Sequence, residues 1–298
     1  MTSDRKADAA TEMFVTHRNL LFTVAYEMLG SATDAEDVLQ ETWLRWVRVD
    51  LGTVRDQRAY LVRIATNLAL DRLRTLGRRR ESYIGSWLPE PLLTVPDVAD
   101  DVELADSVSV AMLLVMDTLT STERAVFVLR EVFGLDYDEI ARAVDKSGPA
   151  VRQIAHRARS HVAARRPRGI TSPMDAEAAV AAFQRAIETG DLQGLLDVLA
   201  PDVVVVGDGG GLKQAVPKPI VGADKVARVL TAGLGRVRAR MTVQRANVNG
   251  GPALIVRLDG EIDGVLALRV EERRVSGIYY VRNPEKLSWL DEETAFAR

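Results

Sequence analysis

The chain has 298 residues, of which 47% are hydrophobic and 27% charged, as is typical of globular proteins with two or three domains. It contains no cysteine, which excludes disulfides, thiolate redox switches and cysteine-ligated zinc. No apolar run approaches the roughly 18 residues that a membrane span needs, and the polar N-terminus does not resemble a signal peptide. We therefore expect a cytoplasmic protein without a membrane partner.

The formal net charge of −3 averages over segments of opposite sign. Residues 146–168 contain seven lysines and arginines and no acidic residue, and residues 72–80 contain five arginines, again without an acid. Between these two segments lies an acidic connector with Asp97, Asp100, Asp101, Glu103 and Asp106. Two separate basic segments favour two contacts with one polyanion, such as DNA.

Strong helix signals fill the first 82 residues. A periodic apolar pattern predicts a helix over 11–29 that ends at Gly30, and Asp34 is expected to cap a second helix that runs to about residue 49. A third helix is predicted over 58–76, with Gly77 as its stop. Its polar side combines residues suited to base contacts with residues suited to phosphates: Tyr60, Arg63, Asn67, Asp71, Arg72 and Arg74.

A linker is predicted over 83–100, because no helix tolerates Pro89, Pro91 and Pro96 beside Gly85. Another helical unit follows over 104–166.

The end of that unit predicts a helix-turn-helix. A short amphipathic helix over 137–144 is followed by a second helix, which Ser147 caps and in which Pro149 suits the first turn. An apolar stripe at helical spacing leaves Arg152, Gln153, His156, Arg157 and Arg159 facing outward. The second helix of such a motif enters the DNA major groove; the alternative is an ordinary helical hairpin with a solvated basic face.

After residue 169 the pattern predicts a separate α+β domain. Two helices precede a valine strand, a glycine-rich loop and a third helix, and a meander of strands closes the domain. The predicted helices are 174–188, 192–199 and 223–234, and the predicted strands are 203–206, 241–248, 253–258, 265–270 and 275–281.

Several motifs in order resemble extracytoplasmic-function-type bacterial sigma factors. They are "DAEDVLQETW", "RAYLVRIATNLALDRLR" and "LTSTERAVFVLREVFGLDYDEIARAV", followed by "VRQIAHRAR", and they cover roughly residues 11–166. In that family the acidic helix docks on the clamp helices of RNA polymerase, the next helix reads the −10 element, and the helix-turn-helix reads the −35 element.

The resemblance implies roles for individual residues. The implied polymerase contacts are Asp34, Asp37, Gln40, Glu41 and Trp43. The implied −10 contacts are Arg63, Asn67, Asp71, Arg72 and Arg74, with Asn67 near a flipped base. The implied −35 contacts are Arg152, Gln153, His156, Arg157 and Arg159, whose arginines and glutamine suit guanine and adenine edges. Arg159, Arg165 and Arg166 are better placed for phosphates.

Further motifs resemble the subgroup with a C-terminal SnoaL-like domain of the NTF2-like fold. They are "WLPEPL", "DGGG" and "RNPEKL", and they imply regulatory contacts between linker and extension at Trp87, Leu88, Pro89, Asp208, Gly209, Gly210, Gly211, Asn283, Pro284, Lys286 and Leu287. In one departure, Leu212 stands between the third glycine and Lys213, where the family usually has lysine directly.

The C-terminal domain is not expected to be an enzyme, because all three histidines precede it and its carboxylates show no paired spacing. No cofactor and no metal are predicted, although a small-molecule ligand in this domain is an open alternative to a purely structural regulator.

We thus expect a multidomain protein: two all-α domains for polymerase and DNA, the second with a helix-turn-helix, and then an α+β NTF2-like domain. The expected boundaries are 10–82, a linker at 83–103, 104–168 and 172–290. The leading hypothesis is a promoter-recognition subunit of RNA polymerase, monomeric when free and modulated in cis by its extension. The alternative is a ligand-sensing helix-turn-helix regulator that acts without core polymerase and has no need of the 34–80 region.

Overall fold

The computed structural model describes residues 3–94, 102–165 and 172–290, together with Thr294 and Phe296. Its contacts define two compact units. The helical unit comprises residues 1–81, 115–166 and 295–298, and the α+β unit comprises residues 82–114 and 167–294. The predicted connector residues Asp97, Asp100 and Asp101, and Arg166, lie outside the described residues.

The described elements follow the predicted order of helices first and strands later. The helices are α1 (Ser3–Leu29), α2 (Ala32–Trp46), α3 (Gln57–Glu81), α4 (Val102–Val108), α5 (Val110–Met116), α6 (Ser121–Phe127), α7 (Tyr137–Ala143), α8 (Gly148–Ala163), α9 (Pro173–Thr189), α10 (Leu192–Val198) and α11 (Ala223–Leu234). The strands are β1 (Leu199–Asp208), β2 (Ile220–Val221), β3 (Met241–Val248), β4 (Gly251–Leu258), β5 (Glu261–Glu271) and β6 (Arg274–Val281).

The boundaries of the first three helices differ in part from the predictions. Gly30 ends α1 as expected, with φ of 68°. The cap of α2 is Ser31, whose Oγ accepts a hydrogen bond from the Asp34 backbone N–H at 3.1 Å, so the prediction of Asp34 as the cap is wrong. Asp34 lies one turn further in, where its charge still favours the helix N-terminus.

Gly77 does not stop α3, which continues to Glu81. A glycine ends a helix by adopting a left-handed conformation, and Gly77 does not have a positive φ. Within a helix it costs about 1 kcal/mol relative to alanine, too little to break a helix that α1 and α2 support by packing.

Two buried polar side chains connect helices of the helical unit. The Trp46 indole of α2 donates to the Ala10 carbonyl of α1 at 2.9 Å. The guanidinium of Arg124 in α6, only 2% exposed, donates to the Glu27 carbonyl of α1 at 2.9 Å and pairs with Asp117. Both link elements that are distant in the sequence.

The helix-turn-helix forms as predicted from α7, a turn and α8. Asp145 in the turn has φ of 51°, and the Ser147 hydroxyl caps α8 by accepting from the Ala150 N–H at 3.4 Å. The predicted apolar stripe consists of Val151, Ile154, Ala155, Ala158 and Val162, and all of them are buried except Ile154, which is partly buried.

A six-stranded sheet organises the α+β unit in the order β2-β1-β6-β5-β4-β3. β1 and β6 are parallel and all other neighbours are antiparallel. The valine strand predicted over 203–206 is longer, since β1 extends from Leu199 to Asp208 and ends in the glycine loop.

Both faces of this sheet are covered. On one face pack apolar residues of α9, α10 and α11, among them Phe183, Leu195 and Val226. On the other pack the linker and α5, through Leu88 and Val110, against strand residues such as Val265. The linker is therefore a structural part of the α+β unit.

Candidate functional site

A groove of about 570 Å³ lies between α2 and α3 in the helical unit. From α2 it is lined by Asp37, Gln40 and Glu41, three of the residues implied to contact polymerase. Asp71 and Arg72 of α3, implied to contact −10 DNA, line the same groove. We call this surface the acidic groove.

Arg72 joins the two helices at this groove. Its Nε donates to Asp34 Oδ1 at 2.6 Å and its Nη2 donates to Asp37 Oδ2 at 2.5 Å. Burial alone would lower the pKa of Arg72, but the hydrogen bonds with Asp34 and Asp37 outweigh it and raise that pKa. The guanidinium is thus permanently charged and is shared by two carboxylates.

Trp43 does not line the acidic groove. It lies on the side of α2 that meets α1, where its ring is 5.4 Å from that of Phe14, measured between centroids. The other four predicted polymerase contacts, from Asp34 to Glu41, recur at helical spacing on one side of α2.

The face of α3 with the remaining predicted −10 residues is polar. Asn67, Asp71 and Arg74 are exposed, and the Arg74 guanidinium pairs with Asp71 at 2.8 Å. The Arg63 guanidinium stacks 4.6 Å from the centroid of the Tyr60 ring. The face therefore presents an amide, stacked planar groups and a positive charge.

All five predicted −35 residues of α8 are exposed: Arg152, Gln153, His156, Arg157 and Arg159. Arg159 donates from Nη2 to Glu131 Oε1 at 3.0 Å, which raises its pKa. Arg157 lies 3.9 Å from Glu123. The structure leaves Arg152, Gln153 and His156 without a comparable charged partner among the described contacts.

A second cluster of charges lies inside the α+β unit, where Asp208 ends β1. Its side chain is fully buried and accepts from the Tyr83 hydroxyl at 2.6 Å, from the Leu88 backbone N–H at 2.9 Å and from Lys286 Nζ at 2.7 Å. Lys286 also donates to the Leu88 carbonyl at 2.5 Å, and its ammonium is 4.3 Å from the centroid of the Trp87 ring. We call this arrangement the linker anchor.

Tyr83 belongs to the linker anchor although the motifs did not single it out. Burial, and then the hydrogen bond to Asp208, raise the pKa of its phenol, so the hydroxyl stays protonated and donates. It also accepts from Asn283 Nδ2 at 2.9 Å. The sequence signal that could have identified Tyr83 is an aromatic residue with a hydroxyl shortly before "WLPEPL".

The glycine loop makes room for the linker. The Gly210 N–H donates to Asp208 Oδ1 at 3.0 Å, and a Cβ at Gly210 would overlap the Asn283 carboxamide. A Cβ at Gly211 would come within 3.0 Å of Ile84 of the linker. Gly210 and Gly211 have φ of 61° and 75°, so glycine meets both the conformational and the spatial need.

The other implied regulatory residues also lie near the linker anchor. Pro89 is buried, Leu287 packs in the apolar cluster that contains Leu88, and Pro284 begins the turn that carries Lys286. The linker continues along the edge strand β3, where Leu93 pairs with Val248.

Lys213 contacts a different carboxylate, that of Asp263, at 3.2 Å. Arg282 donates from Nη2 to Asp263 Oδ1 at 2.9 Å, and the Tyr280 hydroxyl donates to Oδ2 at 2.8 Å. Burial alone would raise the pKa of Asp263, but the hydrogen bonds from Arg282 and Tyr280 outweigh it and hold the pKa below its usual range. This cluster ties the end of the glycine loop to β5 and β6.

Comparisons with known families place two sigma-factor regions in the chain. Residues 13–79 match Sigma-70 region 2, and residues 109–162 match Sigma-70, region 4. The first match contains the acidic groove, and the second contains the helix-turn-helix. These regions define a sigma-70-type transcription initiation factor.

Relatives match well beyond these two regions. ECF RNA polymerase sigma factor SigJ of Mycobacterium tuberculosis is 34% identical over 290 residues, which cover 92% of each chain. Probable ECF RNA polymerase sigma factor SigI of the same species is 32% identical, over 96% of this chain and 97% of the relative. The crystal structure of M. tuberculosis SigJ has a TM-score of 0.75 at 30% identity, over 93% of this chain and 97% of that one.

The chain therefore belongs to the ECF RNA polymerase sigma factors. As a member it binds RNA polymerase and recognises promoters, and nothing supports the alternative of a regulator that acts without polymerase. The two helical domains and the α+β, NTF2-like domain agree with the predicted fold class. Among the described residues, no helix is long and apolar enough to cross a membrane.

Proposed function

We propose that the acidic groove is the surface that docks on core polymerase, through Asp37, Gln40 and Glu41 with Asp34 beside them. The observation that carries this proposal is that Asp37, Gln40 and Glu41 line one groove, to which the hydrogen bond from Arg72 joins Asp34. Carboxylates and an amide on a rigid two-helix frame suit a basic partner surface. Trp43 supports the groove indirectly, by packing α2 against Phe14 of α1.

The proposed −10 face of α3 consists of Arg63, Asn67, Asp71 and Arg74. A base that leaves the stack needs hydrogen-bonding groups and a stacking surface, and Asn67 with the Arg63–Tyr60 stack offers both. The arginines also neutralise phosphate charge.

The proposed −35 readers are the exposed residues of α8. Arg152 and Gln153 suit bidentate contacts with guanine and adenine, and His156 lies on the same side. Arg157 and Arg159, each near a glutamate, and the exposed Arg165 suit contacts with the DNA backbone.

The proposed role of the α+β domain is regulation in cis through the linker, and not catalysis. The linker joins the two DNA-binding regions in sequence, and the linker anchor fastens it to the domain by hydrogen bonds to Asp208 and Lys286. The absence of histidine from residues 172–290 and the engagement of Asp208 and Asp263 in ion pairs argue against acid–base chemistry there. A small-molecule ligand for this domain stays the alternative to a purely structural regulator, and a monomeric free protein stays a prediction. The cytoplasm is the proposed site of action, since core polymerase and promoter DNA are its partners.

Reconstituted transcription with core polymerase tests this regulation. The full-length Asp208→Ala variant loosens the linker anchor and keeps the sheet in place. A truncation after residue 170 would instead remove the sheet and uncover the linker face that packs on it. The matched control is Asp202→Ala, which removes an exposed carboxylate from the same strand. Less transcription would mean that the anchor holds the DNA-binding regions in an initiating arrangement, and more would mean that it restrains them. Identical transcription by both variants and the wild type would exclude regulation through this linker.

A further inference from the structure

Arg72 lies on a different side of α3 from Arg63, Asn67 and Arg74, while Asp71 lies between the two sides and lines the acidic groove with Arg72. At about 100° per residue, Asn67, Asp71 and Arg74 lie within about 80° of Arg63 around the helix, whereas Arg72 lies about 180° away. One DNA strand that follows the face of Arg63 does not reach the opposite face of the same helix.

The contacts of Arg72 also disfavour DNA. Two of its nitrogens already donate to Asp34 and Asp37, at 2.6 and 2.5 Å. A phosphate that approached the guanidinium would come close to both carboxylates, and like charges at such distances repel. The five arginines of residues 72–80 therefore include one, Arg72, whose charge is not available to DNA.

The same contacts organise the acidic groove. Asp37 is about half exposed, at 46% of its side chain, and an exposed carboxylate is free to change rotamer unless a partner holds it. Arg72 binds one oxygen of Asp37, while a carboxylate has about four acceptor sites, so acceptor capacity remains for a partner. A side chain that is ordered before binding loses less entropy on binding.

We infer that Arg72 is a positioning residue for polymerase docking, which holds Asp37 in the acidic groove, and is not a contact to the −10 element. This inference rests on the proposed function of the groove. The planar fork of arginine matters, because one lysine ammonium does not reproduce two donors fixed in different directions.

A mutant cycle on the full-length protein tests the inference by measuring the affinity for core polymerase. Arg72→Ala is expected to weaken binding about fivefold, which corresponds to about 1 kcal/mol at 1.4 kcal/mol per tenfold. Asp37→Ala is also expected to weaken binding. In the Asp37→Ala background, Arg72→Ala is expected to change affinity less than about twofold, because its target is gone. Arg72→Lys should give an intermediate affinity.

The matched control is Arg18→Ala. Arg18 pairs with Glu36 of α2 at 2.6 Å and so links α1 to α2, as Arg72 links α3 to α2. Glu36 does not line the acidic groove. This variant should lower the melting temperature about as much as Arg72→Ala while core affinity stays at the wild-type value, which separates positioning from a general structural role.

The outcomes distinguish the inference from the proposed function. If Asp37→Ala weakens core binding but Arg72→Ala does not, or if the two losses add, Arg72 does not act through Asp37 and only the inference fails. If Arg72→Ala spares core binding and weakens only promoter binding by the assembled holoenzyme, Arg72 is a DNA contact after all. If Asp37→Ala binds core like the wild type, the groove itself is wrongly assigned and the inference fails with it.

Discussion

The acidic groove of the helical unit and the linker anchor of the α+β unit both contain ion pairs, but those of the groove are partly exposed and that of the anchor is buried. Each pairs a basic side chain with aspartate across elements that are distant in sequence. In the groove, the side chains of Arg72 and Asp37 are 35% and 46% exposed, while in the anchor those of Lys286 and Asp208 are 8% and 0% exposed.

This difference in burial separates two kinds of function. An exposed ion pair contributes about 0–1 kcal/mol to stability and keeps acceptors in reach of a partner. A buried pair leaves a desolvated charge when one member is removed, which typically costs about 3–5 kcal/mol. The groove is therefore suited to binding another molecule, and the anchor to fixing a segment of the same chain.

The largest expected effect is that of Asp208→Ala on the linker anchor. The substitution removes three acceptor contacts with the linker and Lys286, so the opening free energy of the segment 83–94 should fall by about 3–5 kcal/mol. Hydrogen exchange of the full-length protein, followed at Leu88 and Leu92, measures this loss.

Asp202→Ala is the control for that experiment and should leave exchange in the linker unchanged, because Asp202 is exposed. If the two variants exchange alike over 83–94, the buried ion pair does not hold the linker, and the contrast with the groove disappears.

Gly210→Ala should break the anchor from the loop side. The new Cβ would overlap the Asn283 carboxamide, and the φ of 61° at position 210 is itself unfavourable for alanine. We therefore expect the unfolding free energy to fall by about 2–3 kcal/mol. Thermal unfolding measures it against Gly190→Ala, where φ is 67° and no atom lies within 4 Å of the added carbon. Equal losses would show that backbone strain, and not the contact with Asn283, limits the loop.

On α8, Arg152→Ala should cost about 1–3 kcal/mol of binding to a specific promoter if its contact is bidentate to guanine. Arg165→Ala should instead weaken binding to all sequences alike and reduce the salt dependence. Binding of the holoenzyme to specific and scrambled promoters at two salt concentrations separates the two, and equal losses on both DNAs for Arg152→Ala would remove it from the readers.

The smallest expected effect on stability is that of Asp37→Ala with Gln40→Ala in the acidic groove. Both residues are exposed, so the melting temperature should move by only a few degrees. Binding to core polymerase should weaken about tenfold if Asp37 contributes about 1 kcal/mol, no less than the loss expected for Arg72→Ala, and Gln40 about 0.4 kcal/mol. Wild-type affinity in a pull-down titration would falsify the assignment of this face.

Local signals were enough to predict most elements. The helix-turn-helix follows from Ser147, Pro149 and an apolar stripe, because caps and periodicity act over a few residues. The error at Asp34 arose because Ser31, three residues earlier, offered a competing cap. The error at Gly77 arose because a glycine stops a helix only where its φ is positive, and the sequence does not give that angle.

The sequence by itself determined the order of the domains, the helical faces and the residue types available for polymerase and DNA. Tertiary structure alone decided which of those residues share a surface. It put Arg72 with Asp34 and Asp37, turned Trp43 toward Phe14, and joined Tyr83 to Asp208 over 125 positions. Helical periodicity fixes directions within one element, whereas the partner across a groove depends on how two elements pack, and no local pattern encodes that packing.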